Sequence, residues 1–149
     1  MRAEQIMTTD VTTVHADTTI EEVARLLTTR RIGSVPVVDD ENRVVGVVND
    51  EELFTSEKGI PFSAVRVPLL FEKWARPDRA EEIFANARQN TARDVMSYEF
   101  VCVDVNASVG HITQLMVERK LHRVLVTRSD WLAGIITRLD LIRMLANSG

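Results

Sequence analysis

Catalysis in this chain would have to rest on three histidines, one cysteine and two short runs of carboxylates. His15, His111 and His122 are scattered without metal-ligand spacing. No glycine-rich phosphate loop, nucleophile elbow or cysteine pair accompanies them, so catalytic chemistry is not expected. Cys102 lies in the apolar run Phe100-Val101-Cys102-Val103 with no acid–base partner near it in sequence, and reads as a small buried hydrophobe. Asp39-Asp40-Glu41 falls in a turn and Asp50-Glu51-Glu52 at a helix start, both ordinary places for acids. Thr137-Arg138-Leu139-Asp140 sets a hydroxyl three residues before a carboxylate, where an apolar strand gives way to a helix. Taken alone, that pair is an ordinary helix start.

What positions these residues is an internal repeat. Ala3 to Leu53 aligns with Ala92 to Leu141, so that Ile6-Met7 falls on Val95-Met96 and Arg30-Arg31 on Arg119-Lys120. The offset is 89 residues through Val37 and Val126, and 88 at Gly46 and Gly134, because the first copy carries one extra residue in a polar turn. Two copies imply a pseudo-symmetric pair packed face to face.

Each copy reads as strand, helix, strand, strand, helix. In the first, Val11 to Val14 predicts a short strand. Thr18-Thr19 offers a helix N-cap with Glu21 and Glu22 behind it, and Ile20, Val23, Ala24 and Leu27 line one helical face. Gly33 ends the helical stretch, and Val35 to Val38 and Val44 to Val48 form two apolar strands about the turn Asp39 to Arg43. The second copy predicts a strand over Val101 to Val105, a cap at Ser108, and the stripe Val109, Ile112, Leu115 and Met116. Strands at Val124 to Val126 and Leu132 to Ile136 follow, and a helix over Leu139 to Ala146 closes the chain. Arg30-Arg31 and Arg119-Lys120 then sit at helix C-termini, where cations complement the dipole.

The expected organisation is 1–54 for the first repeat, 55–91 for a connecting segment and 92–149 for the second repeat. The connector is broken by Pro61, Pro68 and Pro77, and a helix capped by Asp78 and Glu81 runs to Arg88 with Ile83, Phe84 and Ala87 inward. It carries Phe62, Leu69, Leu70, Phe71 and Trp74, too many large apolar residues for a free linker, so it is expected to pack on the module or cover a dimer surface.

Composition sets the outer bounds. A chain of 149 residues buries roughly 68–70% of its unfolded surface without staples. One cysteine rules out an internal disulfide, and no signal-like or membrane-length apolar stretch is present. The expectation is a soluble, cytoplasmic protein. A net charge of −4 argues against nucleic acid as partner.

The repeat resembles a tandem pair of CBS domains, the regulatory module named after cystathionine β-synthase. The resemblance rests on the Ile-Met type helix ends at Ile6-Met7 and Val95-Met96. It also rests on Gly33-Ser34-Val35-Pro36-Val37-Val38 leading to Gly46-Val47-Val48-Asn49-Asp50-Glu51-Glu52, and on His122-Arg123-Val124-Leu125-Val126 leading to Gly134-Ile135-Ile136-Thr137-Arg138-Leu139-Asp140. It covers both repeats and implies an α/β (α+β) fold of two βαββα units.

In that family a glycine, two apolar residues, Ser or Thr, two residues and Asp mark an adenosine-ligand site. The resemblance therefore assigns Asp140 to the ribose diol, Thr137 to a phosphate, and Arg138 as the cation beside it. His122-Arg123 resembles a pair that contacts nucleotide phosphates in some members. The start of the opposite repeat nominates Met7, Val11 and Thr12 for the adenine pocket, Met7 also fitting the core. The first repeat departs from the pattern, with Asn49 for the hydroxyl and Glu52 for the aspartate, so it offers at most a weak second site.

The implied function is a regulatory sensor of an adenine nucleotide (AMP, ADP or ATP, with AMP foremost), acting as a homodimer on another protein. One nucleotide per chain is expected, with no required cofactor. The alternatives are a structural interaction dimer with a vestigial site, or a binder of S-adenosylmethionine.

Overall fold

The computed structural model describes residues 1–55 and 77–147. In chain order its elements are α1 (Ala3–Ile6), α2 (Ile20–Arg30), β1 (Ser34–Val38), β2 (Val44–Asn49), α3 (Asp50–Thr55), α4 (Pro77–Gln89), α5 (Ala92–Val95), β3 (Cys102–Asp104), α6 (Val109–Glu118), β4 (Arg123–Arg128), β5 (Trp131–Thr137) and α7 (Arg138–Asn147). The fold is mixed α/β. The connector's anchors Phe62, Leu69, Leu70, Phe71 and Trp74 lie outside the described residues, as do the side chains of Glu52, Asp78 and Ile83. Among the described residues no helix is long and apolar enough to cross a membrane.

The chain forms two compact units. One comprises Met1–Val11, Asp40–Val44 and Phe100–Gly149, the other Thr12–Asp39 and Val45–Glu99. The helices start where side chains satisfy their first N–H groups: Thr19 accepts from Glu22 N–H at 3.3 Å, and Ser108 from His111 N–H at 3.1 Å. Behind those caps Ile20, Val23 and Leu27 of α2, and Ile112 and Met116 of α6, are buried. At the C-terminus of α2, Arg31 takes the left-handed conformation (φ 53°) and its N–H bonds to Leu27 O.

In the first unit β3 runs parallel to β4, with Val103 opposite Val126, and β4 runs antiparallel to β5 from Arg123↔Thr137 to Arg128↔Trp131. The β4–β5 hairpin turns on Ser129 (φ 49°) and Asp130 (φ 71°), the two-residue mirror-image turn that fits strand twist. The other unit holds the two-stranded sheet β1–β2.

The expected strand at Val11 to Val14 does not form; only Val14 pairs, with Val37. Proline is the reason. In β4 the Leu125 N–H donates to Val101 O at 2.9 Å, extending the ladder. The residue 89 positions earlier is Pro36, which has no N–H, so that rung is missing and the pairing shrinks to one bridge. A second correction concerns Cys102, which is exposed, not buried. Burial alternates along this stretch, with Val103 and Val105 inward and Cys102 and Asp104 outward.

Each unit closes its core with a short helix from the other end of the sequence. Ala3 of α1 is fully buried in the cluster of Val103, Ile112, Val126 and Ile136. Ala92 of α5 is fully buried in the cluster of Val14, Val23, Val37 and Val48. The backbone bonds match under the repeat: Ala3 N–H to Ala107 O (2.8 Å) and Glu4 N–H to Val105 O (3.0 Å) in one unit, and Ala92 N–H to Thr18 O (2.8 Å) and Arg93 N–H to Ala16 O (3.0 Å) in the other.

The methionine after each helix then lies over a glycine. A Cβ at Gly134 would meet Met7 Sδ at 2.6 Å and Thr8 O at 2.8 Å, and one at Gly46 would meet Met96 Sδ at 2.6 Å. Gly134→Ala is expected to destabilise by about 1–3 kcal/mol. Gly46→Ala should cost less, because its close atoms belong to a flexible side chain alone. Chemical denaturation of both variants checks the ranking, and equal losses would show that the backbone contact at Thr8 is immaterial.

Candidate functional site

The candidate site is the junction of β5 and α7. Thr8 clamps β5 from one side, with Thr8 N–H to Ile135 O at 2.9 Å and Ile135 N–H to Thr8 O at 3.0 Å. On the other side β4 pairs Arg123 with Thr137, and Arg138 N–H donates to His122 O at 3.0 Å. Antiparallel pairing therefore brings the start of β4 beside the end of β5 and gathers His122, Arg123, Thr137 and Arg138. Arg138 Nη2 lies against the His122 ring, 3.1 Å from Nε2 and in contact with Nδ1. Both side chains are exposed, and Arg123 is half-buried.

Asp140 and Thr137 hold each other. The Asp140 carboxylate oxygen Oδ2 accepts from Thr137 N–H at 2.8 Å and from its hydroxyl at 3.1 Å, while Thr137 Oγ1 accepts from Asp140 N–H at 3.3 Å. This is a reciprocal cap of the kind that starts many helices. Thr91 and Asp94 do much the same at α5, with Thr91 N–H to Asp94 Oδ2 at 2.9 Å. The structural reading of the pair is thus real, and it uses one oxygen only. The other, Oδ1, has Arg143 Nη1 at 3.7 Å, and the Asp140 side chain is 13% exposed. A fixed carboxylate whose second oxygen carries only a long ion pair suits a hydroxyl-bearing ligand, and the helix start and neighbouring guanidinium groups suit an anion.

Met7 packs on Gly134, so the methionine and glycine motifs meet in the same unit as Thr137 and Asp140. Val11 is half-buried in that unit, and Thr12 falls in the other. In the first repeat Asn49 ends β2 and is half-buried, while the Glu52 side chain lies outside the described residues. Sequence reasoning missed the part played by Gly134 and Gly46, although a glycine and a methionine recurring in both copies was a signal for a close approach. Among the described residues no group of His, Cys, Asp and Glu is placed to hold a metal ion.

Cys102 stands apart from the site. Although the residue is exposed, the surrounding chain partly desolvates the thiol and raises it above the ordinary pKa, so the protonated, unreactive form dominates near neutrality. Alkylation by iodoacetamide at pH 7 is expected to be slower than for a free small-molecule thiol, and an equal rate would contradict this.

The family model of the CBS domain matches residues 3–59 and 92–147. Among curated relatives, protein MJ1404 of Methanocaldococcus jannaschii is 28% identical over 153 residues, an alignment covering 98% of this chain and 32% of that protein. The chloroplastic CBS domain-containing protein CBSX1 of Arabidopsis thaliana is 27% identical over 139 residues, covering 90% of this chain and 58% of its own length. The chain therefore spans about a third and somewhat over half of these two relatives. Among solved structures, the CBS domain of a membrane protein from Sphaerobacter thermophilus superposes with a TM-score of 0.77 at 29% identity, covering 96% of this chain and 86% of that one. CBSX2 of Arabidopsis thaliana in complex with AMP gives 0.73 at 22% identity, covering 97% and 96%. The CBS domain pair of MJ0100, solved with 5′-methylthioadenosine and S-adenosyl-L-methionine, gives 0.69 at 17% identity, covering 100% and 98%.

Proposed function

This chain belongs to the CBS-domain family, and from that premise we propose that it is a regulatory module that binds an adenine nucleotide, AMP foremost, at the β5–α7 junction. The observation that supports the reading is a carboxylate, Asp140, held through Oδ2 by its cap and at 3.7 Å from Arg143 Nη1 through Oδ1, at the same helix start as the guanidinium groups of Arg123 and Arg138 and the imidazole of His122. A ribose diol donates to the carboxylate, and a phosphate takes the backbone and guanidinium donors. Thr137 supplies a hydroxyl to the same anion. S-adenosylmethionine carries no phosphate and does not need that cluster of basic side chains. The AMP held by CBSX2 and the adenosine-type ligands held by MJ0100 support the ligand class.

Binding changes what the module presents to another protein, because a ligand acts only through its differential affinity for two states. The module works as a homodimer in the cytoplasm, with one nucleotide per chain. A thermal-shift panel of AMP, ADP, ATP and S-adenosylmethionine tests this. At 100 times its dissociation constant a specific ligand stabilises by about 2.7 kcal/mol. The expected result is a shift with AMP and little with S-adenosylmethionine, and the reverse order would replace the nucleotide by the sulfonium ligand.

A further inference from the structure

The two repeats build the same strand–helix junction with opposite charge. Asp50 N–H donates to Gly33 O at 2.8 Å, as Arg138 N–H donates to His122 O at 3.0 Å in the other unit. The backbone equivalence matches the repeat alignment, which sets Gly33-Ser34 against His122-Arg123 and Asp50 against Arg138. Where one junction offers two guanidinium groups and an imidazole, these positions of the other offer a carboxylate and no cation. Asp50 is exposed, and its Oδ1 accepts only the neighbouring Glu51 N–H, at 2.7 Å. Its charge therefore has no cation against it among the described residues.

The first junction is not chemically blank. Ser34, in the place of Arg123, is 7% exposed, and its hydroxyl has no hydrogen-bond partner among the described residues. A buried hydroxyl left unpaired is uncommon and suits a position that a ligand's polar group completes. What the junction lacks is tolerance for negative charge, since an anion there meets a carboxylate instead of a guanidinium. Placing an unpaired like charge is an economical way to refuse a ligand.

We infer that Asp50 is the specificity-determining residue that keeps phosphate-bearing ligands off the first repeat, which holds the chain to one nucleotide. The inference rests on reading Thr137–Asp140 as a nucleotide site.

Calorimetric titration of AMP into wild type, Asp50→Arg and Asp50→Asn tests it. Wild type is expected to take about one AMP per chain, Asp50→Arg about two, and Asp50→Asn a second, weaker equivalent once the repulsion is gone. Asp50→Asn keeps an oxygen for the Glu51 N–H, so it decides the matter if the arginine variant folds poorly. Two equivalents in wild type, or one equivalent in both folded variants, would overturn the role of Asp50. No AMP binding to any of the three would instead overturn the nucleotide reading beneath it.

Discussion

Ala3→Asp is expected to unravel the sheet of the second repeat, although Ala3 belongs by sequence to the first. Its methyl group is 0% exposed and packs with Ile112, Val126 and Ile136. A carboxylate there is buried without a partner, at a cost of about 4 kcal/mol or more. Ala92→Asp is the mirror experiment, because Ala92 is equally buried against Val14, Val37 and Val48. Hydrogen exchange separates the two variants. The first should lose protection in β3–β5, the second in β1–β2. If Ala3→Asp loosened β1–β2 first, the crossed assignment of the short helices would be wrong.

Asp140→Ala is expected to weaken AMP binding by about 1.5–3 kcal/mol, the scale for losing charge-assisted hydrogen bonds. The same substitution removes the acceptor of Thr137 N–H, so about 1 kcal/mol of stability should go with it. Asp140→Asn separates the two effects. The amide oxygen still caps Thr137, while the negative charge that strengthens the diol contact is gone. Affinity in that variant should fall with stability nearly intact. Unchanged affinity in both variants would leave Asp140 as a helix cap and nothing more.

Much of this molecule was legible because its helices carry strong local signals. The caps at Thr19 and Ser108 and the stripes behind them are short-range features, and the structure bears them out. The absence of a strand at Val11 to Val14 was also written in the chain, since Pro36 lacks the N–H that Leu125 uses 89 residues later. Cys102 was misread because Phe100 to Val103 looks continuously apolar, whereas burial there follows the alternation of a strand with one inward face. The exchange of α1 and α5 was not legible. It depends on bonds such as Ala3 to Ala107, which join residues distant in sequence and leave no local periodicity.

The site divides in the same way. Thr137, Arg138 and Asp140 were legible as one motif and the family resemblance nominated His122-Arg123, but it is the β4–β5 pairing that sets Arg123 opposite Thr137. The seat of Met7 on Gly134 required three dimensions. So did the division of labour within the Asp140 carboxylate, in which one oxygen caps the helix and the other pairs with Arg143.

The most direct test of the central claim is equilibrium calorimetry of wild-type protein with AMP. Saturable binding at about one AMP per chain is expected, weakening as salt rises if guanidinium groups hold the phosphate. Absence of heat, together with an unchanged melting midpoint at millimolar AMP, would contradict the claim and leave an interaction module whose β5–α7 junction is only a well-capped helix start.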